Sequence, residues 1–388
     1  MRGRVAIGQP FRGGMTVGGS VLVVGAGIGG LALARALNQR GVDCVVIEKR
    51  PPTITLGMGL NLPGNAVRAL SHLGVADQAV AHGMPVARRE YRNSNGRLLF
   101  STDDRLFWRG VGTPVCIRHG HLLAALRTPP TPAVLYGVRA VSVQATSRKV
   151  NVQMAGMPPT TYDFVVGADG VHSSLRPGLT GYDKTLRGSA MTKSSWRFVV
   201  ENPGVDCWTV WSGAHVTFLL IPVGNGDVYG YAASTRGGMT GTDPTWLAQA
   251  FTGFAEPVTT VIATLLTGAG HLHHSLVEEV RIPTWHRGRL VLIGDAAHAT
   301  GPVWAQGAAM AMEDALVLAD VLARQADWST VGETFERLRR ARVDHVQAAT
   351  HKMSRLAKLP TWLRDAGAPL LGPRAYREAY ESLRFDPL

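Results

Sequence analysis

The run Val21-Leu22-Val23-Val24-Gly25-Ala26-Gly27-Ile28-Gly29-Gly30 decides the fold. Four apolar residues make a short strand that reads as buried on both faces. The glycines then turn the chain, and residues 31–40 follow a helical pattern that Gly41 ends. Residues 42–48 form a second strand and complete a βαβ unit. Gly25 permits the tight turn, Gly27 lets a pyrophosphate approach the backbone at the helix N-terminus, and Gly30 lets helix and strand pack closely. Glu48, closing the second strand, is placed to accept a hydrogen bond from a ribose hydroxyl. The unit predicts dinucleotide binding without telling one dinucleotide from another.

The rest of the chain is long enough to give that unit company. At 388 residues, with 45% hydrophobic and 18% charged residues, the composition is that of a globular protein of two joined domains. Residues 1–19 carry Arg2, Arg4 and Arg12 among glycines without periodicity and read as a flexible extension. Residues 185–235 alternate short β-rich runs with turns, which predicts an antiparallel sheet inserted into the nucleotide layer. Leu290-Val291-Leu292-Ile293 then resumes the parallel layer, followed by a helical pattern from about Ala305 to Arg324. The expected fold is α/β: a Rossmann-like domain made of residues 20–75, 115–178 and 280–326, a substrate domain of 76–114 and 179–279, and C-terminal helices over 327–388.

Several function classes are set aside by the same inventory. Cys44, Cys116 and Cys207 are odd in number, far apart and set in apolar runs, so they read as thiols of a reducing cytoplasm rather than disulfides or metal ligands. The apolar stretch near the N-terminus is only a strand long, too short for a signal core or a membrane span. Net charge is +12, but the arginines are scattered rather than gathered with aromatics, so the charge predicts attraction of anionic small molecules and not nucleic acid.

Two later segments narrow the dinucleotide to one. Phe164-Val165-Val166-Gly167-Ala168-Asp169-Gly170, with Ser173 and Arg176 behind it, and Leu292-Ile293-Gly294-Asp295-Ala296-Ala297-His298, followed by Pro302, Gly307 and Glu313-Asp314, resemble the later fingerprints of the class A flavoprotein monooxygenases, the family of the para-hydroxybenzoate and salicylate hydroxylases. The resemblance runs from about residue 21 to residue 322. It includes Arg118 in Cys-Ile-Arg-His-Gly-His-Leu, Ser195-Trp196-Arg197 and the glycine-rich segment 57–65. It implies FAD as the cofactor, held by Gly25, Ala26, Gly27, Gly30, Glu48, Lys49, Arg118, Asp169, Asp295, Pro302, Gly307 and Ala308. It further implies NADPH or NADH as reductant, dioxygen as co-substrate, and hydroxylation through a C4a-hydroperoxyflavin.

Each of these residues also has a plain reading. Asp295 can accept from ribityl hydroxyls or cap a helix; Asp169-Gly170 can be a structural turn; Arg118 can pair with pyrophosphate or with a surface carboxylate. Pro302 to Gly307 would open a helix whose N-terminal N–H groups favour an anionic reduced ring. Glu313-Asp314 read as solvated or capping groups, and His298 as orienting backbone.

The run His215-Val216-Thr217-Phe218-Leu219-Leu220-Ile221-Pro222 departs from the family. Thr217 and Ile221 stand where the salicylate-hydroxylase branch carries a histidine and a tyrosine, so no phenol-deprotonating base is evident. Strand alternation puts His215, Thr217, Leu219 and Ile221 on one face, a mostly apolar wall with Trp304 as a further pocket residue and His215 as the one candidate acid or base. The expected substrate is a hydrophobic aromatic molecule, and the expected assembly a monomer or homodimer. A flavin halogenase is disfavoured: there is no lysine between Lys49 and Lys149, and Cys207-Trp208-Thr209-Val210-Trp211-Ser212 lacks the Ile-Pro of that class. A reductase of the geranylgeranyl type and a non-catalytic flavin-binding regulator remain the alternatives.

Overall fold

A computed structural model describes residues 20–52, 58–146, 148–180 and 186–388. The predicted extension 1–19 and Gly57 lie outside the described residues. Strands Val21–Val24, Phe164–Gly167 and Leu290–Leu292 are continuous apolar runs, buried along their whole length. A parallel strand covered on both faces requires that composition. They form the centre of a six-stranded sheet in the order His286–Arg287, Leu290–Leu292, Phe164–Gly167, Val21–Val24, Cys44–Glu48, Val134–Tyr136. Val21 pairs in parallel register with Cys44 on one side and Phe164 on the other; only the edge strand His286–Arg287 runs antiparallel. Helix Ile28–Gln39 covers this sheet and packs against helix Gly307–Arg324.

The inserted layer is a seven-stranded sheet in the order His271–Leu276, Ser194–Glu201, Asp227–Ser234, Val216–Gly224, Trp208–Ser212, Arg88–Asn93, Leu98–Asp103. Its pairings are antiparallel except where Trp208–Ser212 runs parallel to Arg88–Asn93. Alternation divides its residues between two cores. Trp196, Phe198, Trp211, Phe218 and Leu220 face helices Thr245–Ala250 and Val258–Leu266, whereas Val199, Trp208, Ile221 and Tyr229 face Cys116 and Val86 on the side of the nucleotide layer. A small sheet of Gly59–Leu62, Val115–Arg118 and Gly83–Pro85 is wedged between the two layers. Its fit leaves no room for a side chain at Gly59, where a Cβ would lie 2.4 Å from that of Tyr229.

Helices Val331–Leu356 and Thr361–Tyr380 close the chain. The second buries residues in the core only at its last turn: Tyr376 and Tyr380 are buried, with the Tyr380 hydroxyl donating to the Trp304 carbonyl at 2.6 Å, while further up Gly372 packs on Phe100 and Arg364 bonds to the Gly213 carbonyl. Beneath them Arg89 and Asp104 form an ion pair at 2.8 Å with no solvent exposure to speak of. All three cysteines are free thiols. Cys116 and Cys207 are buried as expected, but Cys44 is only half-buried; desolvation, with Asp43 adding to it, pushes its pKa up to about 12. Among the described residues no helix is long and apolar enough to cross a membrane.

Candidate active site

The glycine turn does what its sequence demands. Gly25 sits at φ +106°, and its N–H donates to the Ile47 carbonyl at 2.8 Å. Gly30 passes so close to it that a Cβ there would fall 1.8 Å from the Gly25 carbonyl oxygen. Gly27 is the N-cap of helix Ile28–Gln39, with no side chain capping it and no acidic residue in the first turn. The first amides of the helix are thus left for a partner from outside, and the positive end of the helix dipole faces the same way. A Cβ on Gly27 would meet nothing within 4 Å, so the space in front of these amides is open. Glu48 borders it: one carboxylate oxygen accepts from Ala26 N and the other from Arg50 N, both at 2.9 Å, and Lys49 beside it is exposed.

The two later fingerprints meet at the same place. Ala168 and Asp169 press on Gly25, where a Cβ would lie 2.5 Å from the Ala168 carbonyl oxygen. Asp169 accepts from the Ser174 amide at 2.7 Å and its hydroxyl at 3.0 Å, which pins the turn; its other oxygen is buried with no partner among the described residues. Asp295 opens the short helix Asp295–His298, and a Cβ on Gly307 would stand 3.8 Å from its carboxylate. Asp295 keeps access to solvent. Desolvation raises its pKa, against the lowering pull of His298 and Arg197.

Between Asp295 and the long helix the chain differs in detail from the expected continuous pattern. Pro302–Trp304 is a single 3-10 turn, Ala305 takes φ +53°, and the helix begins only at Gly307, two residues later than its periodicity suggested. Pro302 is exposed, and Gly307 and Ala308 are partly so at the helix start. Gln306, the N-cap, is held from outside by reciprocal amide bonds with Asn65 at 3.0 and 3.2 Å. Trp304 is buried and tied to Tyr380, with its indole N–H lacking a partner among the described residues.

Glu313 and Asp314 are the clear departure from expectation: they are not solvated. Both are at most 1% exposed. Arg339 sits between them, its Nε 2.8 Å from Asp314 and an NH group 3.0 Å from Glu313, and Arg342 adds a bond to Glu313 at 2.7 Å. The other Asp314 oxygen accepts from the Gly294 amide at 2.9 Å and meets His298 Nε2 at 2.6 Å. Desolvation opposes its ionisation, but His298, Arg339 and the Gly294 amide together hold the carboxyl at about 2. Asp314 is therefore a positioning residue that fixes the turn carrying Asp295.

The second face of the large sheet is turned towards this layer. Register places Ser195, Arg197 and Val199 beside Ala233, Tyr231 and Tyr229, and these beside Thr217, Leu219 and Ile221. Thr217 and Leu219 are partly open and Ile221 is buried, so the three predicted wall residues do lie on one face, turned towards the nucleotide layer. His215 precedes the strand; its side chain is exposed and its carbonyl accepts from Thr235 N. Arg118 is half-buried at the start of helix His119–Arg127 and is ion-paired with Asp227. The Nε atoms of Arg118 and Arg197 are buried without partners among the described residues, and Arg197 is near enough to Asp295 to act on its charge. Tyr229 and Tyr231 escaped notice in the sequence, although the alternation of residues 227–234 carries them to this face.

An open helix N-terminus, a carboxylate at the end of the adjoining strand and a second, exposed carboxylate at Asp295 suit an extended dinucleotide, and the comparisons with known proteins agree. A family model described as FAD binding domain matches residues 19–352. The 2-heptyl-3-hydroxy-4(1H)-quinolone synthase of Pseudomonas aeruginosa is 32% identical over 383 residues, 94% of this chain and 97% of that protein. An FAD-dependent urate hydroxylase of Klebsiella pneumoniae is 31% identical over 338 residues, 83% of this chain and 86% of that protein. The structure of Klebsiella pneumoniae HpxO complexed with FAD and uric acid superposes with a TM-score of 0.81 at 27% identity, covering 94% of each chain. The chain belongs to the FAD-binding-domain family of class A flavin monooxygenases and is an FAD-dependent monooxygenase of aromatic-type substrates.

Proposed function

We propose that the enzyme hydroxylates a planar, largely hydrophobic aromatic molecule, inserting one atom of dioxygen at the expense of NADPH or NADH. The observation that carries this reading is that Arg197, on the sheet face that also carries Thr217, Leu219, Ile221 and Tyr231, lies near enough to Asp295 of the nucleotide layer to act on its charge; the space between the two faces is the proposed cleft. In this reading residues 20–75, 115–178 and 280–326 hold the cofactor, and 76–114 with 179–279 hold the substrate. FAD, when bound, supplies the electron transfer and the activation of oxygen; the protein supplies position, dryness and charge.

The amides at Gly27 and the following helical turn take the pyrophosphate, Glu48 a ribose, and Asp295 the hydroxyls of the ribityl chain. The start of helix Gly307–Arg324 offers its N–H groups to a ring that gains negative charge on reduction. Arg118 and Arg197 bring Nε donors, without partners among the described residues, that a polar cofactor edge would satisfy. The apolar wall excludes water and selects by shape, which is how a pocket without a base among Thr217, Leu219 and Ile221 favours an already electron-rich ring. The quinolone and urate named for the relatives are both planar heteroaromatics, which supports this class of substrate.

The deciding experiment screens aromatic compounds for acceleration of NADPH oxidation by the FAD-loaded protein, then detects 18O from labelled dioxygen in the product by mass. A product carrying no label, or reduction of substrate without oxygen uptake, would favour a reductase instead; no response to any compound would favour a ligand-binding regulator. Leu219→Arg is expected to lower kcat/KM by about 100-fold or more, because a cation is forced into an apolar wall, while FAD content stays unchanged. His215→Ala is expected to leave kcat/KM within about twofold, since the side chain is exposed outside the strand. A large loss in steady-state assays of that variant would restore His215 as an acid or base.

A further inference from the structure

The first half of the last helix is unlike the rest of the surface. Between Lys358 and Arg374 every exposed residue is apolar. Trp362 is 73% exposed, Leu370 62%, Leu371 53% and Leu363 43%, with Leu359 beside them. Leu359, Trp362, Leu363, Ala366 and Leu370 recur at the spacing of one helix face, yet the only residues of Thr361–Tyr380 buried in the core lie in its last turn. A contiguous apolar face of this kind on a folded surface marks an interaction site.

Its surroundings say with what. Arg355 and Lys358 precede the face and Arg374 and Arg377 follow it; all four are exposed and none is ion-paired among the described residues. The acidic group within the stretch, Asp365, is drawn inward beside Arg364, whose guanidinium bonds to the Gly213 carbonyl. A second copy of this chain would bring the same cations, and another charge of +12, against these. An anionic lipid surface would neutralise them instead, taking Trp362 and the leucines into the region between headgroups and acyl chains.

We propose that residues 355–377 dock the protein reversibly on an anionic bilayer, lying on it rather than crossing it. The Arg364 tether joins this face to the end of strand Trp208–Ser212, part of the sheet that walls the cleft. A lipophilic aromatic held in the bilayer would thereby meet the enzyme at the cleft's own wall. This goes beyond the proposed reaction, and docking is read without turnover, so the failure of either reading leaves the other standing.

The test is co-sedimentation of the full chain, FAD-loaded, with phosphatidylcholine vesicles with and without phosphatidylglycerol. Binding is expected only with phosphatidylglycerol, and is expected to fall as salt is raised. Trp362→Ser with Leu370→Ser is expected to weaken it about tenfold or more. Lys358→Glu with Arg374→Glu should remove the preference for the anionic lipid. These positions are exposed, so FAD content and Tm should not move in either variant. Equal sedimentation of parent and Trp362→Ser/Leu370→Ser variant would overturn the proposal. So would ultracentrifugation showing that the parent is a dimer through this face and the variant a monomer.

Discussion

Gly27→Asp is expected to leave the fold intact and to abolish FAD binding. A Cβ at this position would meet no atom within 4 Å, and the backbone there is extended with φ −76°, which any residue adopts. Aspartate is moreover a favourable N-cap, so the apoprotein should melt at or slightly above the parent temperature. The same carboxylate would occupy the open space in front of the helix amides and satisfy them, while repelling a pyrophosphate. The loss of affinity is expected to exceed about 100-fold, since one or more charge-assisted hydrogen bonds are replaced by a like-charge contact. Titration of apoprotein with FAD, followed by flavin fluorescence, measures it. Gly30→Ala provides the contrast: its Cβ would strike the Gly25 carbonyl at 1.8 Å, so there both fold and binding should suffer. If Gly27→Asp bound FAD as the parent does, the pyrophosphate would have to lie elsewhere and the site as assembled here would be wrong.

Gly27 could be read from sequence because everything that fixes it is local. The strand, the turn and the helix follow one another in the chain, and the two carboxylate-bearing strand ends, at Glu48 and Asp295, are announced by apolar runs before them. The antiparallel strands between residues 194 and 234 were legible for the same reason, since alternation is a property of neighbours. Failures appear where a partner lies far along the chain. Glu313-Asp314 looked like a solvated pair because their burial depends on Arg339, 25 residues beyond Asp314, and on the Gly294 amide, 20 residues before it. No periodicity encodes that contact. Residues 88–103 fall in the segment expected to join the substrate domain, but their parallel pairing with Trp208–Ser212, more than a hundred residues away, has no local signal, and the helix start moved because Ala305 adopts a left-handed backbone that its sequence does not require. The family fingerprints named the residues around the cofactor, but which groups line the facing wall, Tyr229 and Tyr231 above all, came from register.

Arg339→Leu tests the largest of these unforeseen contacts and is expected to destabilise the protein by about 3–5 kcal/mol, the usual result of stranding buried charge by removing its partner. Arg339 has no exposed surface, and Asp314 and Glu313 face it at 2.8 and 3.0 Å. Arg342→Leu should cost less, because Arg342 is 13% exposed and Glu313 would keep Arg339. The pH dependence has a definite sign. The Asp314 carboxyl, at about 2, lies below its ordinary value near 3.8, so its contribution is complete above about pH 4 and is lost as pH falls towards 2; the difference corresponds to about 2 kcal/mol. Without Arg339 the depression shrinks, and the acid limb of the stability profile should move to higher pH. Urea unfolding of parent and variant at a series of pH values between 3 and 7 reads both effects. A midpoint unchanged at neutral pH would mean that the pair is not buried as drawn. Weaker FAD binding in the surviving folded fraction would follow from the Gly294 amide, since Asp314 can hold the turn that presents Asp295 only while its own charge is held in place.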